Sequence, residues 1–420
     1  MRAQEIRFHY HALAAASIAV LAAVLVVPAI HGQTFSVIHS FTGENDGGNP
    51  RAGLMTDSQG NLYGTAFSGG AYGQGLVYKL RDSSGWILTP VHSFLPYDVG
   101  ASPDWITFAP DGTIFGATYH SYVHDTGTVF HLRPSANTCR SVLCEWLNST
   151  LYQFQDVPDG ANPEGSLVLD QRGNLYGSTY YGGHSGQACG TIYELSPSSG
   201  GGWTEAVLYR FSCGSDGSVP NGVILGPDGS LYGTTIYGGI NNGGVVFRFT
   251  PSGSGGTMQT IYTFQNNPDG FNPAGGLIFD GAGNIYGTTA AGGMNSGGTV
   301  FELVPSNGVW TKTILFNFAG LDECGPYNSL SFDSSGNIYG TTYCDDPYTA
   351  GTVFKLSYAN GSWTNTVLHN FTNGADGGFP YSNVVIDANG NACGTTLYGG
   401  LSNPSICGPS GCGVIWEITP

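Results

Sequence analysis

The heptapeptide Gly-Asn-Ile-Tyr-Gly-Thr-Thr occurs verbatim at Gly283–Thr289 and again at Gly336–Thr342. Five variants accompany it: GNLYGTA from Gly60, GTIFGAT from Gly112, GNLYGST from Gly173, GSLYGTT from Gly229 and GNACGTT from Gly390. The glycine after the aromatic falls at Gly64, Gly116, Gly177, Gly233, Gly287, Gly340 and Gly394, and Cys393 takes the aromatic's place in the last copy. Seven copies spaced by about 50 residues are the signature of a repeat architecture.

Working outward from Gly283, one unit reads as four short strands. Gly276–Asp280 is an apolar strand, and Asp280-Gly-Ala-Gly is a turn. Asn284–Thr289 is a second strand, followed by a Gly-rich loop over Ala291–Gly298. Thr299–Val304 and Trp310–Phe318 are the third and fourth, separated by the turn at Ser306-Asn-Gly. β-branched and aromatic residues fill all four, as a pleated, half-buried surface prefers. A proline precedes each first strand, at Pro50, Pro103, Pro163, Pro220, Pro273, Pro326 and Pro380, and an Asp or Pro seven residues on is expected to begin each first turn.

The fourth strand decides the architecture. Six copies follow a third strand, but Val414–Ile418 is followed only by Thr419-Pro420. The seventh copy, Thr34–Phe41, lies before the first repeat. An open β-solenoid has no use for this permutation, whereas a closed ring does, because the N-terminal strand pairs an otherwise open edge. The expectation is an all-β chain: a seven-bladed β-propeller with four-stranded antiparallel blades, its N-terminal strand completing the last blade in three-plus-one closure. With the first strand innermost, loops after strands two and four share one face.

Composition narrows the class. Gly 67 and Pro 22 of 420 residues would fit a disordered chain, but the glycines are periodic and aromatics make up 13 %. Charged residues are only 10 %, so the surface is largely neutral-polar, and a net charge of −17 disfavours nucleic acid and anionic membrane. Arg2 and Arg7 precede an apolar run from Ala12 to Val27, which reads as a secretory signal peptide over residues 1–32 ahead of a propeller over 33–420. An uncleaved anchor is the alternative, although the run is short for a span. The expected location is secreted, periplasmic or cell-surface, and the expected state is a monomer with no membrane span after cleavage.

Nine cysteines fit an oxidising compartment. Cys139–Cys144 and Cys407–Cys412 are expected as local disulfides. Cys189–Cys213 and Cys324–Cys344 each join a loop after strand two to one after strand four. Cys393 is expected buried and unpaired. No C-x-x-C pair supports zinc.

The unit P-x-x-x-L-x-x-D-x-x-G-N-[IL]-Y-G-T-T-x-x-G-G, continued by G-T-V-F-x-L and W-T-x-x-x-L-x-x-F, resembles the choice-of-anchor tandem repeat (GloVer-type) family of bacterial exported proteins. The resemblance spans nearly the whole mature chain. It implies a surface or secreted repeat protein whose members differ in their C-terminal sorting tails, and it supplies no catalytic residues.

Positions that match in every repeat build the frame, so a binding site is sought where they differ. One such position follows the repeated proline: Arg51, Asp104, Glu164, Asn221, Ala274, Tyr327 and Tyr381. Another lies four residues after the motif glycine: Ser68, His120, Tyr181, Tyr237, Ala291, Cys344 and Tyr398. Flat rings beside hydrogen-bonding groups suit sugars, although the tyrosines could equally cover neighbouring blades. The expected function is therefore a non-catalytic exported propeller that binds polysaccharide, cell wall or protein. The alternative is a carbohydrate-active hydrolase or lyase using Asp104 and Glu164 as an acid/base pair. No cofactor is expected. Asp387-Ala-Asn-Gly-Asn391 and the Asp46, Asp159 and Asp269 loops admit calcium but read better as turns. His124 and His184 carry no metal spacing.

Overall fold

The computed structural model describes residues 33–82, 85–96, 100–121, 125–135, 146–184, 187–320, 324–344 and 350–420. The expected signal segment, the Cys139–Cys144 pair and His124 lie outside them.

The motif glycine sits directly opposite the aromatic of the third strand in every blade: Gly64 pairs with Tyr78, Gly116 with Phe130, Gly177 with Tyr193, Gly233 with Phe247, Gly287 with Phe301, Gly340 with Phe354 and Gly394 with Trp416. The ring lies over the space a side chain would take. A Cβ on these glycines would meet a neighbouring heavy atom at 2.3–2.6 Å, in each case including that ring or its hydroxyl. The phenylalanine that ends each fourth strand then packs on the third-strand aromatic of the next blade. These pairs are Phe41–Tyr78, Phe94–Phe130, Phe154–Tyr193, Phe211–Phe247, Phe264–Phe301, Phe318–Phe354 and Phe371–Trp416, with centroids 4.9–6.0 Å apart. All seven phenylalanines are buried. The inter-blade core is thus one repeated aromatic contact seated on a glycine.

The two residues after the glycine complete the frame. The first hydroxyl reaches the inner strand of the following blade. Thr65 donates to the Asp104 carbonyl (2.6 Å), Thr341 to that of Ser382 (3.2 Å), and Thr395 to that of Pro50 (3.4 Å), which closes the ring across the whole sequence. The second hydroxyl accepts the first N–H of the third strand, as Thr179 does from Thr191 (3.1 Å) and Thr289 from Thr299 (3.0 Å). These buried threonine hydroxyls are thereby satisfied inside the packed ring.

Seven antiparallel four-stranded sheets result, ordered from inner to outer strand along the chain. Blades 1 to 6 span residues 55–93, 101–153, 161–210, 218–263, 278–319 and 331–370. Blade 7 spans 385–419, and its outer strand is Thr34–Ser40, paired with Val414–Thr419. This is the expected seven-bladed β-propeller with three-plus-one closure. A β-bulge recurs where each third strand meets its fourth, as at Val300/Phe301 against Phe316 and Ile314. The extra residue lets both Leu208 and Phe211, three apart, be buried on blade 3.

Two expectations need correction. The inner strand is shorter than expected in blade 5, only Ile278–Phe279, where the backbones crowd the axis, whereas that of blade 2 runs Ala101–Phe108. A Cβ on Gly165 would meet the Gly222 Cα at 2.6 Å, which shows how closely blades 3 and 4 approach there. In blades 2 and 4 the first turn begins at Ala109 and Gly226 rather than at Pro110 and Pro227. These repeats lack one residue after the proline, so Ile106 and Val223 take the buried place of Leu54 and Leu167.

Cys189–Cys213, Cys324–Cys344 and Cys407–Cys412 are disulfide-bonded, and Cys393 is free and buried.

Gly340→Ala is expected to destabilise the ring by about 1–3 kcal/mol, the usual cost of overpacking, because its Cβ would meet Phe354 Cζ at 2.5 Å. Gly281→Ala, whose Cβ meets nothing within 4 Å, is the control. Equal urea midpoints for the two variants would contradict the glycine–aromatic seat.

Candidate functional site

The inner strands bring the varied residues after the repeated prolines to the axis. Arg51 and Glu164 form an ion pair with Nη2–Oε1 3.8 Å. Asp104 is 4 % exposed. Its backbone carbonyl is held by Thr65, its carboxyl accepts the Gly165 N–H, and its Oδ2 has no hydrogen-bond partner. Below them is a small cavity of about 50 Å³, lined in part by Glu164, Asn221, Ala274, Tyr327 and Tyr381. It is large enough for water. All seven residues of this expected set therefore gather at the axis.

Aromatic faces surround the guanidinium. Arg51 Cζ lies 5.0 Å from the Phe67 ring, 5.9 Å from Tyr119 and 5.5 Å from Tyr381, within cation–π range. Tyr327, Tyr343 and Tyr381 form a three-ring cluster with centroids 5.5–6.1 Å apart. Burial works against the charge on Arg51, but Asp104 and then Glu164 reverse this and hold it protonated. Burial also raises both carboxyls. Glu164 reaches about 7, with the Asp104 charge adding to the rise and Arg51 opposing it. Asp104 shifts the same way through burial, opposed by Arg51. Burial, then Glu164, pushes Tyr119 up to about 12.

The second expected set lies further out. Tyr181 and Tyr237 are 37 % and 41 % exposed. His120 Nδ1 contacts Asp125 Oδ1 at 2.6 Å. Tyr398 packs edge-on to Phe379. Cys344 is consumed by a disulfide, Ala291 is buried, and Ser68 is tied to Asn49. Two of the three rings around Arg51, Phe67 and Tyr119, come from the preceding position, three residues after the motif glycine, as does Tyr343 beside the third ring, Tyr381. Tyr180 holds the same place in blade 3. Sequence reasoning missed these residues. Strand alternation was the available signal, because adjacent side chains point to opposite faces.

The loops expected to share a face do so. Gly48 bridges Ser68, Phe271 bridges Ala291, and Gly378 bridges Tyr398. The loop aspartates are occupied. Tyr152, Tyr209 and Tyr262 donate to Asp159, Asp216 and Asp269, and His39 and His369 contact Asp46 and Asp376 at 3.1 Å. Asp387 accepts from the Asn389 and Asn391 N–H groups, as a turn residue does. Among the described residues no group of three His, Cys, Asp or Glu side chains could hold a metal.

Glu164 has a pH consequence. A free carboxyl titrates near 4.5 and the folded one at about 7, so between these values the folded chain keeps a proton that the unfolded chain has released. Stability from this group is full below about pH 4.5 and is lost as pH rises through about 7. Glu205, also raised to about 7 by burial and Asp159, adds in the same sense. Glu164→Gln should flatten part of the wild-type decline in urea stability between pH 5 and 8, leaving what Glu205 and the other raised carboxyls, Asp104 and Glu417, contribute. An unchanged slope would contradict this placement of the proton.

Among solved structures, the extracellular domain of a proposed hybrid two-component system from B. thetaiotaomicron matches with TM-score 0.55 and 14 % identity over 92 % of this chain and 41 % of that one. The extracellular domain of a proposed one-component system from the same organism gives 0.54 and 12 % over 91 % and 39 %. A proposed 6-phosphogluconolactonase from Bacteroides fragilis gives 0.52 and 16 % over 84 % and 97 %. At these identities the likeness is one of fold. No curated protein matches the sequence. Three overlapping segments, residues 24–222, 102–254 and 187–407, match the Gloeobacter/Verrucomicrobia repeat. With the Gly-Asn-Ile-Tyr-Gly-Thr-Thr frame repeated through all seven blades, the chain belongs to that family.

Proposed function

We propose that this chain is an exported, non-catalytic propeller that binds a glycan at the axial mouth, on the face that carries the loops after strands two and four. One observation carries the reading. Phe67, Tyr119 and Tyr381 converge on a guanidinium whose charge is balanced by Asp104 and Glu164. The flat rings can take the C–H faces of sugars, while Arg51, Glu164 and Asn221 offer partners for hydroxyls. Binding sites of this kind pair apolar rings with a few placed polar groups. Three disulfides support an oxidising, extracytoplasmic location. The acidic balance argues against nucleic acid as the partner.

A hydrolase or lyase is the second reading. In its favour, Glu164 titrates at about 7, where a general acid works near neutral pH. Against it, Arg51 engages Glu164, and Asp104 is nearly inaccessible, so both carboxyls serve to hold the guanidinium. A fold that hosts many chemistries does not choose between them.

The test incubates the full chain with soluble and insoluble polysaccharides and assays bound protein and released sugar together. The expected result is retention without release, weakened about tenfold or more, roughly 1.4 kcal/mol, by Tyr343→Ala or Tyr180→Ala. Sugar release abolished by Glu164→Gln would replace this reading with the enzymatic one. Failure to bind any glycan would overturn both.

A further inference from the structure

A second concavity opens on the same face between blades 4 and 5, with a volume of about 550 Å³. That lies within the range of about 300–1,000 Å³ usual for small-ligand sites. Five asparagines line it: Asn241 and Asn242 from one loop, and Asn266, Asn267 and Asn272 from the next. Tyr237 and Phe271 supply the rings. No lysine, arginine, aspartate or glutamate is part of the lining.

Backbone geometry accounts for some of these amides. Asn242, Asn266 and Asn272 have φ of 55°, 65° and 53°, a left-handed conformation that asparagine tolerates. The Asn242 Oδ1 also accepts the Gly238 N–H at 2.9 Å, and Asn241 Nδ2 donates to Gln265 at 3.0 Å. Asn241 and Asn267 have no such backbone requirement. In the corresponding loop of blade 3, Asp156 and Val157 replace Asn266 and Asn267, so the amides are not part of the repeated frame. Among the described residues no hydrogen bond occupies the side-chain amides of Asn267 and Asn272.

The groove also connects to the axis. Tyr180 packs edge-on to Tyr181 with ring centroids 4.7 Å apart, and Tyr237 of the next blade lines the groove. Tyr181 and Tyr237 are exposed. The aromatic line therefore runs from the axial mouth out to the asparagines.

We propose that the groove between blades 4 and 5 is an outer subsite for an uncharged glycan, which reaches the axial mouth along Tyr180, Tyr181 and Tyr237. The proposal rests on reading the mouth as a glycan site. A carboxamide carries both donors and an acceptor, and a sugar hydroxyl needs both. An acidic glycan would find no cation in the groove, and the net charge of −17 would repel it.

The full chain is titrated with ladders of neutral gluco-, manno-, xylo- and N-acetylglucosamine oligosaccharides, from disaccharide to octasaccharide, with oligogalacturonates as the charged series. Affinity for one neutral series should rise with length. Tyr237→Ala and Asn267→Ala should each remove that rise, lowering octasaccharide affinity about tenfold or more while leaving the disaccharide unchanged. Tyr237 projects into solvent, so its variant keeps the fold even if Asn267→Ala does not. Wild-type length dependence in Tyr237→Ala, with binding still lost in Tyr343→Ala, would overturn the groove and leave the axial reading standing. Tighter binding of oligogalacturonate would overturn the uncharged class. Absence of binding to every series would remove the axial reading and the groove together.

Discussion

Each blade depends on a glycine that makes room for a ring. Opposite Gly340 lies Phe354, and onto Phe354 packs Phe318 from the blade before. Any side chain at the glycine would displace the ring, and the ring is what the neighbouring blade rests on. Fully burying a side chain of this size stabilises by about 1.5–3 kcal/mol, and the contact is repeated around the ring. In every blade but the second, where Ala117 takes its place, the hydroxyl that follows the glycine then ties the blade to the backbone of the next. Because Thr395 reaches Pro50, the same contact closes the circle.

A frame carried by these repeated contacts leaves the axis free to vary. The seven repeats present six residue types at the position after the proline, tyrosine twice, and obey no common rule there. Arg51 is tolerated in a half-buried place because Asp104 and Glu164 approach from adjacent blades. Taking a charge out of water is costly unless it is paired. The carboxyls bear part of that cost themselves, since burial raises both. The frame also sets the geometry, because Thr65 fixes the backbone of Asp104.

The fold was legible because glycine, aromatic and threonine each have a reason to recur at one spacing. The permuted strand Thr34–Ser40 announced closure for the same reason. Cys189–Cys213 and Cys324–Cys344 followed from the two loop types meeting on one face, and Cys407–Cys412 from two cysteines in one loop. The site was legible only in part. Counting from the proline found Arg51, Asp104, Glu164 and Tyr381. Counting four from the glycine found Tyr181 and Tyr237 but passed over Phe67, Tyr119, Tyr180 and Tyr343, one position earlier on the strand. The missing residue in repeats 2 and 4 was hidden because Pro110 and Pro227 occupy the counted place. The asparagine groove was not visible in any one repeat, since Asn241 and Asn267 belong to different loops.

The most direct measurement is a crystal structure of the full chain with an oligosaccharide it retains. The account predicts sugar rings stacked on Tyr180 and Tyr343 at the axial mouth, with a hydroxyl within hydrogen-bonding reach of Arg51 or Glu164. Sugar bound instead at the opposite face, against Thr107, Leu167 and Asp170, with the tyrosine face empty, would contradict it.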